Sequence, residues 1–587
     1  MTCDDVDRTA CPLRSAEWFA PRDLPGFIHR STLTPVGLGR QELDGRPVIG
    51  IANSWSDYNP CNAGLKQLVE HVKRGVQEAG GVAFEFPTIS LSENLIKPTA
   101  MMFRNLMAMD VEESIRGYPM DAVVLLGGCD KTVPAQVMGA ASVNLPTLYF
   151  GAGPATPPVV DGAELGGGHA VWQFVDQLRA GSTSSDLDAL ESCVMSTVGH
   201  CAEMGTASTM AALMEALGLA LPGTALIPAT DGRRANAAAA AGRAAVTMAR
   251  QGSPTIRELL TPEAFDNAIA LLMALGGSTN AIVHLLAIAR RVGVSLRLKR
   301  FDEISAQVPL IADVRPSGAH LVSRLHGAGG VPAVLAELKS WLHLDALTVT
   351  GRTLGTELDA AKPADGQVIR RAAAPLSRSG GIVVVHGSLA PDGAVLKVSA
   401  ASPELFEHRG RALVFESIEE LAGTIDDPEL EVDASTVLVL RNAGPRGGPG
   451  MPEWGMLPIP KRLLAAGVTD MVRVSDARMS GTAYGTAILH VSPEAAVGGP
   501  LALVRTGDEI ELSVAGRRLD LLVDEAELVR RRGELREFAG PRRGWAALFD
   551  QHVLQAHEGC DLDILTATEE PPVSRPSGLF RGWIGGW

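Results

Sequence analysis

Residues 121–140, DAVVLLGGCDKTVPAQVMGA, decide the fold. The first eight read as a short apolar strand rich in β-branched side chains and closed by two glycines. A polar loop, CDKT, follows. A helix then starts near Pro134, because proline suits a helical first turn. Upstream, RPVIGIANSW (46–55) is another apolar run ending in a polar loop. Behind it, CNAGLKQLVEHVKRGVQEAGG (61–81) repeats Leu65, Leu68, Val69, Val72 and Val76 at helical spacing and stops at Gly80 and Gly81. Downstream, LPTLYFGAG (145–153) is the next strand. Alternation of this kind predicts an α/β fold whose mainly parallel sheet is flanked by helices, over residues 46–370.

Residues 1–45 read as a loop-rich arm. From about Ala373 the texture changes. GGIVVVHGSLAPDGAVLKVSA (380–400) reads as two strands around a Pro-Asp-Gly turn, and GDEIELSVAGRRLDLLVDE (507–525) as a late hairpin. RALVFES, STVLVLRN and DMVRVSDARMSG add further strand patterns. Residues 371–587 are therefore expected to form a β-rich, barrel-like or swivelling C-terminal domain.

Of the 587 residues, 46% are hydrophobic and 20% charged, which is ordinary for a large packed core. The formal charge of −15 disfavours nucleic acid and anionic lipid as partners. An anionic substrate would need local positive charge. No apolar run approaches the roughly 18 residues of a membrane span, and the N-terminus lacks a signal-like apolar stretch, so a cytoplasmic protein is expected.

Seven cysteines occur, at 3, 11, 61, 129, 193, 201 and 560. An odd number, with no C-x-x-C, argues against a disulfide framework or a zinc finger. Cys61, Cys129 and Cys201 share one context: each follows a strand or precedes a helix. Loops at the carboxyl ends of parallel strands converge on a crevice, where helix N-termini are expected to lower thiol pKa and favour metal-binding thiolates. An iron cluster with an open iron acts as a Lewis acid. The competing reading is three buried small side chains.

Oxygen ligands for a hard cation such as magnesium are available in Asp130 beside Lys131, in Glu93 of SLSEN and in Glu453 of GMPEWG. Each is otherwise a solvated loop charge, and Lys131 a surface partner of Asp130. Ser480, in SDARMSGTAYG, suits a base or nucleophile if a cation lowers its pKa, and is otherwise a turn residue. GGSTNA (276–281) precedes an apolar helix and offers a weak anion cradle.

The segments NSWSDYNPCN, LLGGCDKTVPA, GHCAEMGTAST, GGSTNA, GPRGGPGMPEW and SDARMSGT, in this order, resemble the dihydroxy-acid dehydratase/phosphogluconate dehydratase family across nearly the whole chain. The resemblance implies that Cys61, Cys129 and Cys201 hold an iron–sulfur cluster. It implies that Asp130, Glu93 and Glu453 bind Mg²⁺ with Lys131, which becomes N-carboxylated. Ser480 would be the base, as an alkoxide, and Thr482 would help hold substrate. The implied reaction removes the C2 proton of a 2,3-dihydroxy acid and expels the 3-hydroxyl, giving a 2-keto-3-deoxy acid.

GHCAEMGTAST, PEWGMLPIPKRLL and HEGCDLDIL look more like the sugar-acid branch of that family. That branch acts on aldonates such as L-arabinonate, D-xylonate, D-gluconate or D-galactonate. The branch implies a two-iron cluster ahead of a four-iron one, and a homodimer or homotetramer. The alternative is the dihydroxy-acid dehydratase of branched-chain amino-acid synthesis. Cys193, Cys560 and the tail SRPSGLFRGWIGGW take no role from the resemblance.

Overall fold

The computed structural model describes residues 12–160, 162–179, 191, 194–566 and 573–576. Cys3, Cys11, Cys193 and most of the C-terminal tail lie outside the described residues.

Strands β1 (Val48–Asn53), β2 (Val82–Pro87), β3 (Ala122–Gly127) and β4 (Thr147–Gly151) form one parallel sheet in the order β2-β1-β3-β4. β1, β3 and β4 are buried along their whole length, which is why they read as unbroken apolar runs rather than alternating ones. The helix Leu65–Glu78 buries the five predicted apolar positions. It packs against Gly232–Gln251 so closely that a Cβ on Gly75 would lie 1.9 Å from the Ala239 carbonyl oxygen. Only glycine permits that approach.

Two expectations change here. Among the described residues, the segment before β1 is helical rather than loop-rich: it holds the helices Ala16–Phe19, Leu24–Leu33 and Arg40–Leu43. Beyond β4, strand–helix alternation gives way to helices, notably Thr206–Ala216, Pro262–Leu275 and Asn280–Arg291. Those last two helices are buried on nearly every side and fill the core beside the sheet.

The C-terminal part is an eight-stranded mixed sheet. Its order is Arg518–Leu521, Glu509–Ser513, Glu407–Phe415, Val437–Leu440, Arg473–Ser475, Ala487–Ser492, Gly393–Leu396 and Val383–Val385. Side-chain alternation divides this sheet among three cores, one of them a separate cluster around Leu413, Phe415, Leu438 and Leu440. Ala394, Leu396 and Ile488 point into the sheet's own core, whereas Val395, Ala487 and Leu489 join the core of the α/β part. Met479 and Ala483 join the same shared core. The segment carrying Ser480 is thereby pressed onto the α/β part.

The chain's later portion returns as a strap. Arg104 donates to the carbonyls of Gly559 and Cys560, both at 2.8 Å, and Arg291 pairs with Asp561 at 2.6 Å in full burial. No helix among the described residues is long and apolar enough to cross a membrane.

Candidate active site

The site stands at the carboxyl ends of the parallel strands, where adjacent strands hand over to loops. Cys61 follows β1, Glu93 follows β2, and Cys129, Asp130 and Lys131 follow β3. Asn62 draws the first and third loops together: it accepts from Gly128 N at 2.9 Å and donates to the Ser54 carbonyl at 2.9 Å. Cys201 arrives from further along the chain. His200 exchanges backbone hydrogen bonds with Gly153 and Ala155, at 3.1 and 2.7 Å, just after β4. The Cys61 and Cys129 side chains are hydrogen-bonding neighbours, and Cys201 lies within electrostatic reach of Cys61 and Asp130.

Helix N-termini do not lower the pKa of Cys129 or Cys201, as the sequence suggested they would. Cys61 lies in a turn and Cys201 in a loop, four and five residues ahead of their helices. The hydrogen bond from Cys61 and burial push the Cys129 thiol well up. Burial, with Glu203 and Cys61 nearby, does the same for Cys201. Thiols so placed become thiolates when a cation stands among them. Softness, count and burial fit an iron–sulfur cluster, whose cysteine ligands spread over separate irons.

Lys131 is fully buried, not a surface partner of Asp130. Its Nζ pairs closely with Asp130 and lies 3.3 Å from Glu93 Oε2 and 3.5 Å from Glu453 Oε1. Burial works against its charge, but Asp130, Glu93 and Glu453 outweigh that and hold the ammonium ionised. In turn, Lys131 overcomes burial and keeps the Asp130 carboxyl below its usual range. Burial pushes Glu453 up. Among the described residues no three His, Cys, Asp or Glu side chains form a ready cage for one ion. The ammonium stands among the three carboxylates. The oxygen donors themselves fit a hard cation such as Mg²⁺, provided Lys131 loses its positive charge.

Three residues overlooked in the sequence tie this cluster down. Buried Arg478 donates to Glu453 Oε1 at 3.0 Å, to Thr99 Oγ1 at 3.1 Å and to the Met451 carbonyl at 2.8 Å. Thr99 donates to Glu93 Oε1 at 2.6 Å. Asn280, from GGSTNA, donates to Glu453 Oε1 at 2.9 Å. In this motif the N–H groups of Gly276, Gly277, Ser278, Asn280 and Ala281 are taken by hydrogen bonds within the protein. Arg478 lies inside the quoted SDARMSGT, so position was legible there, but not direction.

Ser480 Oγ and Thr482 Oγ1 share a hydrogen bond of 2.9 Å. Between them, Gly481 lies against the start of helix Thr206–Ala216 and Ser278. A Cβ there would meet Thr206 N at 2.6 Å and Ser278 Oγ at 2.8 Å. Thr482 also borders Gly205, near Cys201. The structure thus gathers all nine predicted site residues around one junction of the two parts. Cys560, without a predicted role, is buried with its sulfur 3.2 Å from that of Met451.

Residues 46–357 match the family described as dihydroxy-acid/6-phosphogluconate dehydratase N-terminal, and residues 367–560 match its C-terminal counterpart. The chain is 50% identical to L-arabonate dehydratase of Azospirillum brasilense, covering 95% of this chain and 97% of that protein. It is 47% identical to 6-deoxy-6-sulfo-D-gluconate dehydratase of Pseudomonas putida, covering 96% and 98%. Identity to the dihydroxy-acid dehydratase of Ignicoccus hospitalis is 41%, covering 94% and 100%.

Proposed function

We propose, from the premise that this chain belongs to the dihydroxy-acid/6-phosphogluconate dehydratase family, that it is a hydro-lyase converting an aldonate to the corresponding 2-keto-3-deoxy acid. The observation that carries this is the junction at which one loop borders both sets: Thr482, hydrogen-bonded to Ser480, lies against Gly205 beside Cys201, and Arg478, two residues before Ser480, binds Glu453 of the carboxylate–lysine cluster. The identities of 50% and 47% to the relatives named for L-arabonate and 6-deoxy-6-sulfo-D-gluconate support the substrate class.

Cys61, Cys129 and Cys201 would hold the iron–sulfur cluster, a two-iron form before a four-iron one. Glu93, Asp130, Glu453 and an N-carboxylated Lys131 would hold Mg²⁺. When bound, these groups supply Lewis acidity toward the substrate's carboxylate and hydroxyl oxygens.

The chain's own residues do the rest. Ser480 Oγ, as alkoxide, takes the C2 proton. Thr482 Oγ1, 2.9 Å away, donates a hydrogen bond that steadies that oxygen and the substrate beside it. Arg478 and Asn280 fix the Glu453 carboxylate before substrate arrives, so no reorganisation is needed during the reaction. Burial by Met479, Ala483 and the shared core limits water around Ser480. Loss of the C3 hydroxyl leaves an enol, which tautomerises to the keto acid.

The test is a panel of aldonic acids with iron-replete protein and Mg²⁺, following 2-keto acid. No keto acid from any aldonate would sink the sugar-acid assignment. The second reading, favoured by the relative from Ignicoccus hospitalis, expects preference for 2,3-dihydroxyisovalerate in the same panel.

A further inference from the structure

We infer that Asn280 is a positioning residue that couples the cation-binding half of the site to its base, a role that rests on the dehydratase reading above. Asn280 opens the helix Asn280–Arg291, which is buried over most of its length and therefore rigid. Its side chain is fully buried. Nδ2 lies 2.9 Å from Glu453 Oε1, 3.0 Å from Thr206 Oγ1 and 3.2 Å from the Met479 carbonyl oxygen.

These three acceptors belong to three segments distant in sequence. Glu453 ends the glycine-rich loop and belongs to the carboxylate cluster. Thr206 begins the helix after Cys201. The Met479 carbonyl belongs to the peptide that leads into Ser480. One amide nitrogen thus touches the proposed cation site, the peptide that carries the base and the helix that follows Cys201.

The orientation of the amide is fixed by chemistry. Glu453 and the Met479 carbonyl only accept, so the donating nitrogen, not Oδ1, must face them. Two hydrogens serve three acceptors, with one of them shared. Oδ1 is left buried without a donor. Leaving such an atom unpaired is destabilising, a cost borne where function selects the arrangement.

The consequence is twofold. Asn280 and Arg478 both occupy Glu453 Oε1, so the carboxylate's orientation is set before a cation enters. Asn280 also sets the Met479 peptide, and through it the position of Ser480. A residue acting on one side alone would alter either cation affinity or turnover. Asn280 must alter both.

The experiment uses iron-replete Asn280→Leu, which matches the side chain's shape without its donors, and Asn280→Ala, which leaves room for water. Mn²⁺ binding is titrated by the electron paramagnetic resonance of the free ion. Turnover is measured at saturating Mg²⁺, with iron content and thermal unfolding alongside. Expected are a Mn²⁺ dissociation constant raised about tenfold or more, and a kcat that stays low when Mg²⁺ saturates, at unchanged iron content. Folded variants that keep the Mn²⁺ affinity and kcat of the unsubstituted protein would overturn the inference. A loss of activity that merely tracks loss of folded protein would overturn it too. If the unsubstituted protein binds no Mn²⁺, the cation-site reading itself fails, which is a separate result.

Discussion

Arg478 reaches Glu453 with Nη1 3.0 Å from Oε1, and the guanidinium is fully buried while the carboxylate is mostly so. The guanidinium also binds Thr99 and the Met451 carbonyl. It is thus a fixed cation among Glu93, Asp130 and Glu453. Breaking a buried pair from one side costs about 3–5 kcal/mol. Arg478→Met is therefore expected to lower the unfolding temperature by several degrees and to reduce kcat/KM about 100-fold or more. Arg478→Lys should not restore activity, because a lysine lacks the planar fork that serves three acceptors at once. Full activity in Arg478→Lys would show that only the charge matters.

Ser480→Ala removes the oxygen that bonds Thr482 and leaves the cysteines untouched. Dehydration should fall by at least about 100-fold, the scale of a positioned base, while the visible absorbance of the cluster persists. Turnover that survives would place the base elsewhere.

Gly481→Ala tests placement rather than chemistry. The added Cβ would lie 2.6 Å from Thr206 N and 2.9 Å from the Gly205 carbonyl carbon, and both are backbone atoms that cannot swing aside. The loop must therefore lift Ser480 off its seat. Displacements of about 1 Å cost on the order of 100-fold in rate. Steady-state kinetics on folded protein should show that loss mainly in kcat. An unchanged kcat would mean the loop has slack.

Lys397 gives a stability prediction outside the reaction. It is fully buried, its Nζ has no hydrogen-bond partner, and burial lowers its pKa from 10.5 to about 7. The sign follows from proton counts. Between pH about 7 and 10.5 the unfolded chain holds this proton and the folded chain does not. Stability therefore rises with pH across that window. Below it, the fold carries the whole penalty of a buried ammonium, on the order of a few kcal/mol. Lys397→Met should therefore unfold at a higher temperature than the unsubstituted protein at pH about 7 and below, with the gap closing toward pH about 10. Calorimetry across this range checks it. A gap that is constant with pH would mean that Lys397 keeps its ordinary pKa.

The parallel sheet was legible because burial on both faces leaves only apolar residues in a strand, and β1, β3 and β4 are such runs. The hairpins at Val383–Leu396 and Glu509–Leu521 were legible from turn chemistry and alternation. The N-terminal helices were missed. Leu24–Leu33 is short, and both Phe27 and Ile28 on it are exposed, so no clean helical stripe shows.

The sequence by itself determined which residue types sit where strands end: Cys61, Cys129 with Asp130 and Lys131, Glu93, and Ser480 in its small-residue loop. That information is local, written in periodicity and in glycine punctuation. Only the tertiary structure decided what these residues experience. Cys129 and Cys201 have their pKa raised rather than lowered, because burial and neighbouring thiols outweigh any helix end. Lys131 is a buried cation, because three carboxylates from separate loops surround it. Asn280 and Arg478, unremarkable along the chain, become the struts of Glu453. Charge and hydrogen bonding act over a few ångströms in space. Residues 173 positions apart can therefore govern one carboxylate, and sequence spacing carries no trace of that.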